Sequence, residues 1–537
     1  MTTLSQRLQG IRQAGDLANI TGIIRGLEKE SLRVSPQGTL ANSAHAETLG
    51  SALTHPHITT DYSEALLEFI TSPSGNIEQL IRTLDELHRY TYQCISKEVL
   101  WVNSMPCMLS HDSKIPIAQY GSSNSGQMKS IYRIGLGHRY GRAMQTIAGI
   151  HFNFSVSDQF WRFLKDQDKS ILSLKDYKTH GYFRLIRNFR RYFWLLLYLF
   201  GAAPGVCHSF IQHRQHQLVP VGDDHYSLHT PYATSLRMGD LGYQSSAQES
   251  LVITYNCLQT YANTLCQAIT KTHPGYASLG VKDKNDNYLQ LNDSLLQIEN
   301  EFYSVIRPKR TAASGQTALN ALTSGGVEYI EVRCLDLNPY EPVGIGAGQI
   351  RFLDIFLLFC LMEDSPESDE REHQHLQENQ RRMVYRGRDP ELMLYHFGQE
   401  RPARQWGNAL FQQFQVIANL LDTAEGGHHY QDALVNEKQK LSNERLTPSA
   451  RILEDMREQG ITFYRLAMNA ALTNSDYFHS RALSAEKTAF YKAMAAKSLQ
   501  DQAAIEAGDT ISLEQFLTKY YQQYQCYSAE GPLAIAK

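Results

Sequence analysis

The stretch RGLEKESLRV, residues 25–34, decides how the N-terminal half of the chain is read. In an extended strand successive side chains point to opposite faces. Glu28 and Glu30 therefore share a face with Ile24, Leu32 and Val34. Like charges held side by side on a half-buried sheet face repel and lose hydration. The arrangement survives if the acids protonate, pair with bases or bind cations.

Three further segments repeat the pattern. TTDYSEALLEFIT (59–71) carries the acids Asp61, Glu64 and Glu68 along what reads as a strand. IHFNFS (150–155) places His151, Asn153 and Ser155 opposite Phe152 and Phe154, and VEYIEVR (327–333) places Tyr329, Glu331 and Arg333 opposite Ile330 and Val332. Two readings fit each segment taken alone: solvated acids alternating with a core, or a wall of carboxylates. Four such segments in one chain favour the second. Hard divalent cations take carboxylate oxygens, so magnesium, usually with nucleotide phosphates, would resolve the repulsion. YSVIRPKR (303–310) adds Arg307 and Lys309 on one side of a strand and Arg310 on the other. It is either a phosphate clamp or a solvated basic turn.

The rest of the chain sets the frame. With 537 residues, 42% hydrophobic and 20% charged, it has ample material for a core, and a net charge of −4 leaves no global nucleic-acid footprint. The eight cysteines form no CxxC pair and read as neither a disulfide framework nor a zinc site, in keeping with a reducing cytosol. The N-terminus has no apolar signal segment. RRYFWLLLYLFGAAPGVC (190–207) imitates a membrane span, but its apolar run is about half the ~20 residues required, so it reads as a buried helix.

Residues 1–20 are predicted helical and 22–72 strand-rich. Helices are predicted over 76–100 and near 127–141, a strand within QTIAGIHFNFSV (145–156), and helices to about 215. LQLNDSLLQIENEFYSVIRPKR (289–310) and GGVEYIEVRCLDLNP (325–339) read as strands, and QIRFLDIFLLFCLM (349–362) as a helix. The polar run from 363 to 383 marks a surface excursion or helix edge. From about 405 the pattern is helical, with capping-box spacing between Ser512 and Gln515. The fold class is α+β, divided into a domain over 1–362 and a mostly helical region over 363–537 packed on it. GIGAGQ (344–349) does not follow a clean strand and is no dinucleotide fingerprint; GSSNSG (121–126) reads as a flexible turn. The chain has no P-loop motif.

These segments, in order with SMPC (104–107), IYRIGL (131–136), RYGRAMQTIAGIHFNFS (139–155) and PYATSLRMGDLGY (231–243), resemble the proteobacterial type of glutamate–cysteine ligase over residues 20–360. The resemblance implies a glutamine synthetase-like fold, a curved, mainly antiparallel sheet forming a funnel. It implies ATP-dependent joining of L-glutamate, through a γ-glutamyl phosphate, to the amine of L-cysteine, the first step of glutathione synthesis. It implies Mg²⁺ (or Mn²⁺), feedback inhibition by glutathione, a cytoplasmic monomer, and neither membrane nor nucleic acid as partner. Carried over residue by residue, Glu28, Glu30, Asp61, Glu68, His151 and Glu331 are the metal set, and Arg333, Arg133 and Arg237 the catalytic arginines. Arg307 and Lys309 bind phosphate. Tyr62, Tyr132, Leu136, Gln145, Tyr243 and Tyr303 form the cysteine pocket. Tyr62 departs from a relative that has phenylalanine there. Alternatives are a ligase of the same fold with another amine acceptor, and a non-catalytic nucleotide- or metal-binding protein.

Overall fold

The computed structural model describes residues 3–13, 22–95, 97–211, 215–222, 224–242, 248 and 251–526. Among them seven strands form one sheet: β1 (Ile23–Val34), β2 (Ile58–Thr60), β3 (Leu66–Ile70), β4 (Val99–Leu100), β5 (Ile150–Val156), β6 (Ile306–Lys309) and β7 (Tyr329–Leu335). Their order is β2–β3–β1–β5–β7–β6, with β4 on the C-terminal end of β1, and every pairing is antiparallel. β1 is twelve residues long because it serves three neighbours, and its length sets the register of the rest.

Helices pack around the sheet, among them α1 (Leu4–Gln13), α2 (Ile77–Cys94), α3 (Asn124–Tyr140), α4 (Leu174–Tyr192), α5 (Leu258–Thr270), α6 (Ala347–Met362), α7 (Ala403–Glu425), α8 (His429–Ser442), α9 (Phe463–His479), α10 (Ala485–Gly508) and α11 (Leu513–Tyr521). α6 is apolar around most of its circumference, Arg351 and Asp354 excepted, because α4, α7 and α8 enclose it, and nearly every residue of it is buried. α2 keeps an amphipathic face, with Leu80, Leu84 and Leu87 in the core, and Asn76 caps its first turn by accepting from the Gln79 amide at 2.7 Å.

The α+β architecture expected from the sequence is what the structure has. Several local expectations differ. Residues 57–71 are two strands joined by a turn, so Asp61 leaves the end of β2, and Glu64 accepts the backbone N–H groups of His45 and Gln119, both at 2.9 Å. Of the strand expected over 289–310 only β6 forms. Residues 289–305 run as turns and a short 3₁₀ segment, the Asn292 side chain donating to the Gln297 carbonyl and accepting from the Ser294 amide in place of a ladder. GSSNSG is less a loose turn than a helix start: Ser123 accepts from the Gly126 amide and caps α3. The apolar 190–207 stretch is interior helix followed by a short strand, and no helix of the described residues is long and apolar enough to cross a membrane. The cysteine reading is overturned: Cys107 bonds Cys207 and Cys266 bonds Cys526, with Cα separations of 5.4 and 5.5 Å. These pairs are 100 and 260 residues apart in sequence, and no local spacing announces them.

Candidate active site

One face of the sheet floors a cavity of about 460 Å³, and α3 forms its wall. β1 offers Glu28 and Glu30 to it from neighbouring even positions of one face, while Leu32 and Val34 farther along that face are buried in the core. The ladder then brings four more chemistry-bearing side chains to the same floor: His151 lies opposite Glu28, Glu68 opposite Glu30, and Arg307 opposite Glu331. Asp61, from the turn after β2, adds a further acid.

The acids divide by what they touch. Glu331, 1% exposed, is flanked by Lys309 at 3.1 Å and Arg333 at 2.9 Å. Burial pushes its carboxyl up, but Lys309, Arg333, His151 and Arg307 outweigh it and hold the group well below the usual range. Glu28 accepts from His151 Nδ1 at 3.1 Å and from the Asn153 amide at 2.8 Å. Burial raises its pKa, and the His151 hydrogen bond brings it net below the ordinary value. His151 itself is held low by burial and by Arg333, so its ring is neutral near pH 7 and can ligate a metal.

Glu30 and Glu68 differ. Glu30 accepts the Gly149 amide at 2.7 Å, yet burial and the neighbouring Asp61 push it up to about 8. Glu68 is raised well above normal by burial and by Glu28, Asp61 and Glu30. Among the described residues no side chain donates a hydrogen bond to Glu68 or pairs with it. The nearby arginines are otherwise engaged. Arg133 bonds the carbonyls of Asp61 and Lys129, and Arg307 those of Asn300 and Phe302. Arg237 bonds the Arg333 carbonyl at 2.9 Å and faces Asp336 at 3.6 Å. A Cβ at position 149 would overlap the Arg237 guanidinium, so a side chain there would push that group aside.

This donor set fits divalent cations. One ligand atom each from Glu28, His151 and Glu331 lie within 4.8 Å of one another. Glu30, Glu68 and Asp61 form an adjacent group whose mutual repulsion a cation would remove.

Of the seventeen residues singled out from the sequence, Tyr243 lies outside the described residues and the other sixteen all line this one cavity. Tyr62, Tyr132, Leu136, Gln145 and Tyr303 gather on the α3 side, where the Gln145 amide donates to the Tyr303 hydroxyl at 3.0 Å. The Tyr62 hydroxyl is buried and has no hydrogen-bond partner among the described residues. The sequence reading missed Ser125, Met128 and Lys129, on the first turns of α3, though their i, i+3, i+4 spacing with Tyr132 and Arg133 marks one helix face. It also missed Phe516 and Tyr520, for which no local signal exists.

The profile of the glutamate–cysteine ligase family matches residues 8–383. A glutamate–cysteine ligase from Alcanivorax borkumensis is 50% identical over 97% of this chain and 100% of its own length. One from Saccharophagus degradans is 48% identical over 96% of this chain and 97% of its own. The crystal structure of a glutamate–cysteine ligase from Francisella tularensis in complex with AMP superposes with a TM-score of 0.87 at 37% identity, covering 93% of this chain and 98% of that one.

Proposed function

The chain belongs to the glutamate–cysteine ligase family, and from that premise we propose that its cavity joins the γ-carboxylate of L-glutamate to the amine of L-cysteine at the expense of ATP. The observation that carries the reading is the convergence of carboxylates, a neutral histidine and cationic side chains on one sheet-floored cavity. A carboxylate is a poor electrophile. Transfer of the ATP γ-phosphoryl group to it gives a γ-glutamyl phosphate and ADP. The cysteine amine then attacks the acyl carbon, inorganic phosphate leaves with the bonding electrons, and the amine gives up a proton.

The work of such a site is positioning and charge neutralisation. Lys309 and Arg333 flank Glu331 at one end of the floor, where their charges face the phosphoryl group in transfer. Arg307 is paired across the ladder with Glu331, and Arg133 and Arg237 border the same space to hold substrate carboxylate and phosphate. Tyr62, Tyr132, Leu136, Gln145 and Tyr303 shape an aromatic recess for the small thiol side chain of cysteine. Mg²⁺ or Mn²⁺ would be held by Glu28, Glu30, Asp61, Glu68, His151 and Glu331 and would neutralise the polyphosphate.

Inhibition by glutathione follows from its sharing the γ-glutamylcysteine portion with the product. The reading also takes the protein as a cytoplasmic monomer, and residues 363–537 as a helical region supporting the catalytic domain of 1–362. Mixing the full chain with ATP, Mg²⁺, glutamate and cysteine should release ADP and yield γ-glutamylcysteine. ADP release that does not depend on cysteine overturns the assignment of acceptor, and no release at all overturns the ligase.

A further inference from the structure

The cavity is not closed by the region that the family profile covers. Two of its lining side chains, Phe516 and Tyr520, come from α11, more than 130 residues beyond the end of the matched segment at 383. They lie one turn apart on one face of that helix, four residues being neighbours on a helical surface.

α11 is fixed in place by four independent means. Its N-terminus carries a full capping box between Ser512 and Gln515. Its apolar face, through Leu513, Phe516 and Leu517, packs on Met128 and Ile131 of α3 and on Tyr132. The segment after it is stitched to the cavity's surroundings. Gln523 bonds both the Gly315 carbonyl (2.7 Å) and the Thr317 amide (3.0 Å), and the Tyr521 hydroxyl donates to the Gln297 carbonyl at 2.8 Å. Finally, the Cys266–Cys526 disulfide ties the end of this segment to α5. A segment so anchored holds its side chains in one place, which is what a specificity-determining wall requires.

The occupant of that side follows from its company. Phe516 and Tyr520 share an apolar cluster with Tyr132 and Met128 and offer rings but no charge to the cavity. Such a surface suits the apolar part of a small amino acid rather than a phosphate or a carboxylate. Resting on the ligase reading, we propose that Phe516 and Tyr520 are specificity-determining residues for the amine acceptor, with α11 forming the outer wall of the recess that takes the cysteine side chain.

Steady-state kinetics on the full chain tests this. Phe516→Ala should raise KM for cysteine roughly fivefold to tenfold, leave KM for ATP and for glutamate within about twofold, and relax discrimination against the bulkier acceptor homocysteine. Phe516→Leu, which keeps an apolar side chain of similar reach, should restore most of the cysteine KM. Leu517→Ala controls for a merely structural role: it loosens the same helix without lining the cavity, and should lower the thermal midpoint without separating the three KM values. The proposal is overturned if Phe516→Ala and Tyr520→Ala leave the cysteine KM unchanged. It is overturned equally if they shift KM for ATP instead, or if they move all three constants together as Leu517→Ala does. Failure of the ligase reading looks different: the unmodified chain then shows no cysteine-dependent ADP release.

Discussion

The two faces of β1 make an instructive contrast. Both are charged. Even positions send Glu28 and Glu30 into the cavity, while odd positions send Arg25, Lys29 and Arg33 into the interior. Behind the sheet each base has found a partner. Arg25 pairs with Asp354 of α6 at 2.7 Å with neither side chain exposed, Arg33 pairs with Glu98 at 2.7 Å, and Lys29 Nζ lies 2.6 Å from His88 Nε2. In front, Glu331 and Glu28 are held in their charged forms, whereas Glu30, despite the Gly149 amide, and Glu68 are pushed toward protonation. Buried charge that is matched within the chain holds a structure together. Buried charge left unmatched is held ready for something the chain does not contain.

That contrast predicts opposite phenotypes. Glu331→Gln or Glu28→Gln should lower kcat by roughly a thousandfold or more, in the range that loss of charge stabilisation at a reacting centre produces. The thermal midpoint should stay close to that of the unmodified chain, and near-normal turnover in both variants would remove the metal-site reading. On the other face, Asp354→Ala leaves the Arg25 guanidinium buried and unpaired, and should cost about 3–5 kcal/mol in denaturant unfolding. The molecules that remain folded should keep their KM values. A loss confined to activity would contradict a structural role for Asp354.

Lys29 is the weak point of the back face, because its partner is a neutral imidazole. His88 Nδ1 bonds the Leu84 carbonyl at 2.7 Å, which leaves Nε2 to accept from Lys29. Burial depresses Lys29 from an ordinary value of 10.5 to about 7. The unfolded chain then binds a proton that the folded chain releases between pH 7 and 10.5, so stability rises with pH across that window. Lys29→Met should stabilise the protein by on the order of a few kcal/mol at pH 7 and below, with the gain shrinking toward zero as pH approaches 10.5. A gain independent of pH would mean that the ammonium is not the cost.

The front face gives a smaller signal. Glu30, at about 8, carries a proton at pH 7 in the cation-free protein. Adding Mg²⁺ should therefore release protons, by about one per protein or less, measured by titration calorimetry in buffers of different ionisation heat. Binding without proton release would show that the cation bypasses Glu30. The smallest change expected is from Tyr62→Phe. It removes a buried hydroxyl without a partner among the described residues, and should alter stability by about 1 kcal/mol or less, in the stabilising direction.

How much of this could be read from the chain depended on distance in sequence. The acids of the front face were legible because alternation is local: four short segments each displayed a carboxylate or histidine face, and the ladder then brought those faces together. Arg25, Lys29 and Arg33 stand in the same ten-residue stretch as Glu28 and Glu30, but their partners lie 329, 59 and 65 residues away, and nothing near them in sequence distinguishes a core base from a solvated one. The failures elsewhere have the same origin. Residues 289–305 have strand-like composition but pair only through a single bridge between Ser294 and Thr272, and the two disulfides join cysteines with no shared local pattern.

By itself the sequence determined the strands of the site, their two-residue alternation and the acids on them, because extended backbone imposes that period on any chain. Only the tertiary structure decided which face of β1 would meet the cavity and which the core. It alone supplied the partners of the buried bases, and it alone carried Phe516 and Tyr520 back to the site. Those outcomes depend on which distant elements exclude water from each face, and local periodicity holds no record of that.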